Sequence, residues 1–450
     1  VYAGIVFCAQ IPKPSARIAR RAIGKYSSSI PLITAMRSFF HLFIALLFGS
    51  AAVCNASFIE DLAKPATWEK TLDGVLRGIP QSVRFARVDA KAIRIPSQDS
   101  FKAGDFPHGD VILRWNDEKK LERAEIIIYN KGDDGGVTQD EFKSKLKELE
   151  TCLNDVLQIE GKARRMDKRD TGVKGRTKVW TPEGCGTWLL EYSSTGRGKN
   201  FNSEFIRLTI GADIEKGGAA DAACRDSLKE NVVTEDDGTV WIKNIPMVDQ
   251  GEKGYCVPAT AARVFAYYGM DGVDQHAMAA LCQSRSGAGG TSLPEMREAL
   301  QKLGRAFHFR VKTMEDCSIE NMIALYNKEA KKQKAMQITP ETIYFFSFNE
   351  EIMRAARTRN ASKVKKWMAE VKKSIDEGVP VLWCVMLGIF KEQGLPQNGG
   401  GHMRLIIGYN LEDKTIIYSD SWGARHARKE MPLEDAFSMT VERNIMRLSR

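Results

Sequence analysis

The chain of 450 residues contains no Cys-x-x-Cys pair and no His-Glu-x-x-His segment. These are the spacings that most readily gather thiolates or imidazoles around zinc, so no metal and no cofactor is expected. A stripe of Lys and Arg interleaved with aromatic side chains is also missing, which removes the usual footprint of a nucleic-acid partner. The formal charge of +9 does not alter this, because six of the basic residues, Lys13, Arg17, Arg20, Arg21, Lys25 and Arg37, lie in a stretch before residue 57 that holds no acid. Beyond that stretch 60 basic residues face 57 acidic ones, an excess of only 3. One apolar run stands out, Phe39 to Val53. It falls short of the roughly 20 residues that a comfortable membrane span requires, so no stable span is expected in the mature protein.

That run is preceded by Met36-Arg37-Ser38 and closes on Cys54-Asn55-Ala56. A positive start, a short apolar centre and a small residue at the end have the form of a signal peptide. The expected reading is export, to a periplasmic or extracellular location, with residues 36–56 as the signal peptide and 1–35 as an over-extended N-terminus. Val53 is too bulky to make Cys54 a good lipidation site. Cys8 and Cys54 would be lost on processing, leaving seven cysteines. An odd number in an exported chain points to a free thiol.

The remainder divides by pattern into two parts of α+β character. Residues 57–212 carry strand-like runs at Ser82 to Ile95, Val111 to Trp115, Glu125 to Tyr129, Lys178 to Thr181, Gly186 to Tyr192 and Glu204 to Ile210. Among them lies one helix opened by the capping pair Thr138 and Glu141. Ile206, Leu208 and Ile210 alternate with Arg207 and Thr209, the pattern of a half-buried strand. No set of chemically suited residues gathers here, and an inhibitory pro-region, an adhesion domain and a substrate recruiter all remain open. Residues 213–238, rich in Gly, Ala and acids, form the expected linker. In residues 239–450 helices come first, near Cys256, at the capping box Ser292/Glu295, at 319–333 and at 349–376. A strand Val381 to Leu387 follows, then a hairpin from Met403 to Tyr409 and from Thr415 to Asp420. Helices followed by strands is an α+β order.

A cysteine hydrolase needs a thiolate, a base, a group that orients the base, and donors aimed at the developing oxyanion. Cys256 opens a helix, where unsatisfied N–H groups favour an anion and lower a thiol pKa. Gln250 lies six residues upstream across a Gly-containing turn, placed to add a side-chain donor to the Cys256 N–H. His402 follows Gly399-Gly400-Gly401, and Asp420 ends the hairpin. If paired residue numbers sum to 822, the two face each other across the strands, with Trp422 shielding their bond. A neutral-base site needs a carboxylate at this position, whereas an imidazolium tolerates an amide, so Asp420→Asn is expected to be mild in a thiolate–imidazolium site. Bland alternatives, a core cysteine or a strand-capping aspartate, do not account for all four residues together. His276, His308 and His426 lack matching spacing.

Gln250-Gly251 through Gly254-Tyr255-Cys256 resembles the Q-G-x-C-G-S-C segment of papain-like enzymes, and Asp420-Ser421-Trp422-Gly423 resembles their N-S-W-G. Tyr255-Cys256-Val257-Pro258-Ala259, Tyr267-Tyr268-Gly269, Gly290-Thr291-Ser292 and Gly401-His402 with Ile406-Ile407-Gly408-Tyr409 look most like the C39-like bacterial peptidases, although Val257 replaces their glycine. The resemblance covers about residues 241–425. It implies a papain-like catalytic domain, preceded here by the smaller α+β domain. It further implies a peptide or protein substrate cleaved through a thioester on Cys256, with His402 as base and acid, Asp420 orienting it and Gln250 as oxyanion donor. An acyltransferase or cell-wall amidase on the same residues, and a non-catalytic peptide-binding module, are the competing functions. Product analysis separates the first two, since hydrolysis gives a carboxylate and transfer a new amide.

Overall fold

The structure is a computed structural model that describes residues 58–449 apart from 79–80, 99–100, 102, 105, 107, 165–174, 212–226, 252–253, 271–272, 285–289, 340–347 and 398. The expected signal peptide and the residues before it lie outside this range. Two antiparallel sheets organise the described chain, each with its own apolar core.

The first sheet contains β1 (Ala86–Asp89), β2 (Ala92–Ile95), β3 (Val111–Trp115), β4 (Leu121–Asn130), β5 (Lys162–Arg164), β6 (Arg176–Trp180), β7 (Thr187–Thr195) and β8 (Asn202–Gly211), in the order β1-β2-β3-β4-β8-β7-β6-β5. The run expected as one strand from Ser82 to Ile95 is a hairpin, β1 and β2, because the Asp89 side chain accepts from the Lys91 N–H at 2.7 Å and turns the chain. Helix α1 (Gln139–Leu157) packs Phe142, Leu149 and Leu153 into this core, and Thr138 and Glu141 form the expected capping box.

The second sheet contains β9 (Val232–Thr234), β10 (Val240–Ile242), β11 (Phe309–Glu315), β12 (Val381–Leu387), β13 (Gly400–Asn410), β14 (Thr415–Ser419), β15 (Lys429–Pro432) and β16 (Thr440–Leu448). Its order is β11-β16-β12-β13-β10-β9, with β14 also on β13 and β15 on β14. Helices α2 (Cys256–Tyr267), α3 (Gln275–Leu281), α4 (Leu293–Ala306), α5 (Ile319–Lys332), α6 (Glu350–Thr358), α7 (Ala361–Asp376) and α8 (Leu433–Met439) complete this part. α2 is buried on nearly every face, its polar Thr260 and Arg263 included.

Three further features depart from the sequence reading, each for an identifiable reason. The helix expected over 349–376 breaks into α6 and α7, because the Asn360 side chain accepts from the Lys363 N–H and starts a new helix. The chain does not finish in the hairpin. β16 follows it and pairs with both β11 and β12, although Glu442, Arg443 and Asn444 give it an unstrandlike sequence. These polar residues are buried, and Arg443 is held by Asp316 and Glu370 at 2.8 and 2.9 Å. Finally, β8 is buried on both faces: Arg207 and Thr209 are as enclosed as Ile206 and Leu208. The second part of the chain lies against it, with Asp274 at the start of α3 pairing Arg207 and the His276 ring 6.2 Å from that of Phe205. A charged side chain tolerates such burial only when paired, and Arg207 also bonds Glu191 at 2.7 Å.

Candidate active site

Cys256 is the first residue of α2, a helix of twelve residues whose first turn is buried against the sheet. Its register over the sheet is fixed by residues one and two turns further on, which share its face at i+4 and i+7. Thr260 donates to the backbone oxygen of Met403 at 3.2 Å. Arg263 donates to the backbone oxygen of Asp420 at 3.1 Å, to Ser419 Oγ at 2.5 Å and to the oxygen of Pro246 at 2.9 Å. The Cys256 helix is thus tied to the residue after His402 and to Asp420 itself. Burial pulls the Arg263 guanidinium down to about 10, against the opposing pull of Asp420, and it remains a cation at neutral pH.

The sequence reading expects a free thiol at Cys256, but the sulfur is disulfide-bonded in this structure. Cys185, Cys282, Cys317 and Cys384 take no part in that bond. Chemistry at Cys256 therefore begins from the reduced protein. Burial raises the thiol pKa of Cys185, Cys317 and Cys384 and pushes Cys282 up to about 12, which favours their protonated form at neutral pH.

His402 and Asp420 meet, but not as direct cross-strand partners. β13 and β14 pair Leu405 with Ser419 and Ile406 with Tyr418, a sum of 824 rather than 822, before a bulge at Ile407 shifts the register. Continued to the open end, this register sets Asp420 level with Arg404 and leaves His402 on the diagonal. The contact is still made: His402 Nε2 lies 2.6 Å from Asp420 Oδ1. The Trp422 ring stacks on the His402 ring, with centroids 4.3 Å apart and planes 6° from parallel, and covers one face of the imidazole.

Asp420 accepts two further bonds, from the Ser421 N–H at 3.0 Å on Oδ1 and from Arg404 Nε at 2.8 Å on Oδ2. The residue is fully buried, which on its own would raise its pKa. The facing His402 ring and Arg404 guanidinium, with the Ser421 N–H, outweigh burial and hold the carboxyl well below the usual carboxylate range.

Gln250 is fixed by Ser421 from both ends of the residue. Its backbone N–H donates to the Ser421 oxygen at 2.8 Å, and its Oε1 accepts from Ser421 Oγ at 2.6 Å. The Ser421 hydroxyl thus fixes the oxygen end of the amide and with it the direction of the side-chain NH₂. Behind it, the first sheet takes part. Arg94 of β2 reaches Asp249 Oδ2 at 3.2 Å, and Asp249 Oδ1 accepts from the Gly251 N–H at 2.9 Å. Gly132 lies so close under the Tyr255 ring that a Cβ there would sit 2.5 Å from a ring carbon.

The structure therefore bonds His402 to Asp420, ties Gln250 to the next residue, Ser421, and rivets the Cys256 helix to the same two strands. Sequence reasoning missed Arg404, Ser421, Arg263 and Asp249. Arg404 did leave a signal, since it is the one charge in the otherwise apolar run Met403 to Ile407 and a charge on a buried strand calls for a partner. Among the described residues no group of His, Cys, Asp and Glu is arranged to hold a metal ion.

The family model described as Peptidase_C39 like family matches residues 242–446. Residues 242–446 are a C39-like peptidase domain. No curated protein matches the chain. The match supports cysteine peptidase activity on peptide substrates for this domain, which stands on a mixed α+β frame of antiparallel sheets.

The lowered carboxyl pKa of the C39-like domain has a definite sign in stability. Its contribution is complete above the unfolded value of about 4 and is lost only as pH falls through the lower folded value. Carbon-detected NMR of aspartate-labelled protein is expected to show Asp420 still ionised where exposed aspartates are already protonated. Titration of Asp420 together with them would contradict the arrangement.

Proposed function

We propose that this protein is an exported, papain-like cysteine peptidase in which Cys256, His402, Asp420 and Gln250 act together. The observation that carries this reading is the His402–Asp420 bond at 2.6 Å beneath Trp422, on strands that also anchor the Cys256 helix and Gln250. A peptide-binding module has no use for a buried carboxylate aimed at an imidazole.

In the reduced enzyme the Cys256 thiolate attacks the substrate carbonyl carbon and forms a tetrahedral oxyanion. The Cys256 N–H and the Gln250 side-chain NH₂ donate to that oxygen, where donors matter most because charge appears there only in the transition state. The His402 imidazolium gives its proton to the leaving amine as the C–N bond breaks, leaving a thioester. His402, now neutral, takes a proton from water, whose oxygen attacks the thioester and releases a carboxylic acid and the thiolate. Asp420 holds the ring through Nε2, and on this reading Nδ1 is the nitrogen that carries the transferred proton.

Residues 57–212 belong, on this reading, to the working enzyme. Arg94 backs the residue before Gln250, and Gly132 seats the residue before Cys256, so the first domain steadies both ends of the turn that carries the oxyanion donors. Export rests on the apolar run at 39–53, and among the described residues no helix is long and apolar enough to cross a membrane.

Incubating the reduced protein with a peptide library is expected to yield products with new free carboxylates, and Cys256→Ala should yield none. Isopeptide or amide products would indicate transfer instead of hydrolysis, and undiminished cleavage by Cys256→Ala would overturn the reading.

Gln250→Ala should lower kcat by about 10²–10³ with little change in KM, the usual cost of one oxyanion donor. Ser421→Ala, which frees the Gln250 side chain without removing it, should fall between that variant and the native enzyme. An unchanged kcat in Gln250→Ala would remove this residue from the oxyanion site.

A further inference from the structure

Asp420 meets three donors with two oxygens: His402 Nε2 and the Ser421 N–H on Oδ1, and Arg404 Nε on Oδ2. Arg404 is itself fully buried. Its Nη1 bonds Glu392 at 3.0 Å, and its guanidinium carbon lies 4.7 Å from the Tyr418 ring centroid and 5.9 Å from that of Trp383. Glu392 in turn accepts from the Tyr418 hydroxyl at 2.6 Å. The guanidinium is thus clamped between two rings and two carboxylates, and cannot turn away from Asp420 without leaving a buried charge unpaired.

This arrangement decides what residue 420 can be. A side-chain amide has one acceptor oxygen and one donor NH₂. With the oxygen turned to His402 and Ser421, the NH₂ abuts Arg404 Nε. With the oxygen turned to Arg404, the NH₂ abuts the His402 ring N–H and the Ser421 N–H. Either way two donors face each other in a site closed to water, and the imidazole loses its alignment.

Resting on the peptidase reading above, we infer that Arg404 is a positioning residue, acting through Asp420 to fix the His402 ring and to make a carboxylate obligatory at position 420. The sequence alone gives Asp420→Asn as a mild change, on the argument that an imidazolium accepts an amide oxygen as well as a carboxylate. Arg404 reverses that expectation.

The test is a cycle of variants. Arg404→Met is made together with Glu392→Gln, which removes one positive and one negative charge at once and lets residue 392 go on accepting from Tyr418, so that no lone buried charge unfolds the protein. Asp420→Asn is then placed in the native and in the doubly changed background. Two rates are read on reduced protein that retains native circular dichroism: kcat and KM on a cleaved peptide, and alkylation of Cys256 at pH 6.

In the native background Asp420→Asn should lower kcat and the alkylation rate by about 10² or more, the scale of an unsatisfied buried donor. KM should change by less than about threefold, because the loss concerns alignment for the reaction and not substrate binding. In the Arg404→Met/Glu392→Gln background the same substitution should cost less than about tenfold, since the amide NH₂ no longer meets a donor. An equal cost in both backgrounds would overturn the role of Arg404, as would a mild effect in the native one. Native protein that alkylates fast but cleaves no peptide would refute the peptidase reading, while the alkylation arm still decides on Arg404.

Discussion

A carboxylate without water is tolerable only if its lone pairs are met by donors, and Asp420 is such a carboxylate. It sits at the end of β14, fully enclosed, with His402 and the Ser421 N–H on one oxygen and Arg404 on the other. Much of the surrounding structure supplies those donors or holds them. β13 carries His402 and Arg404 on alternate positions, hence on one face. Arg263 from the Cys256 helix binds the Asp420 backbone oxygen, and the Asp420 N–H is taken by the oxygen of His426. Ser421 continues the chain into the bonds that fix Gln250. His402, Asp420, Gln250 and the Cys256 helix thus share one set of buried hydrogen bonds, and a displacement at Asp420 would reach all of them.

The two sheets make a second dependence. β8 keeps a charged residue, Arg207, under the second part of the chain only because Glu191, Glu125 and Asp274 surround it. Arg94 does the same at the other flank, between Asp110 and Asp249. Buried ion pairs of this kind add little net stability, yet breaking one costs several kcal/mol. They therefore fix how the first sheet meets the second more than they strengthen either.

The sequence made most of the second part of the chain legible because its signals are local. The capping box at Ser292 and Glu295, the apolar face of the Cys256 helix and the continuous apolar run Val381–Leu387 all specify elements by themselves, and all are present. Non-local facts were not legible. β16 hides behind Glu442, Arg443 and Asn444, whose partners Asp316 and Glu370 are far away in the chain. The β13–β14 register depends on a one-residue bulge at Ile407 that turn chemistry does not reveal, which is why His402 and Asp420 meet diagonally. The cover over β8 belongs to a different part of the chain altogether. In the site, the residues with familiar chemistry were visible at once, while Arg404 and Asp249, which only hold other residues, carry no recognisable spacing, and Ser421 stood in a recognised segment without its hold on Gln250 being legible.

The central claim is that one sulfur, Cys256, is held as a reactive thiolate by a helix start and an imidazolium. Its most direct measure is the rate of iodoacetamide alkylation at pH 6, site by site, on fully reduced protein. The half-buried Cys152 serves as the internal comparison, and burial raises the thiol pKa of Cys185, Cys282, Cys317 and Cys384. An ordinary thiol with a pKa of about 8.5 is almost wholly protonated at pH 6. The account predicts that Cys256 reacts far faster than Cys152 there and that His402→Ala abolishes the difference. Equal rates at Cys256 and Cys152, or a Cys256 rate that rises only above about pH 8, would contradict it.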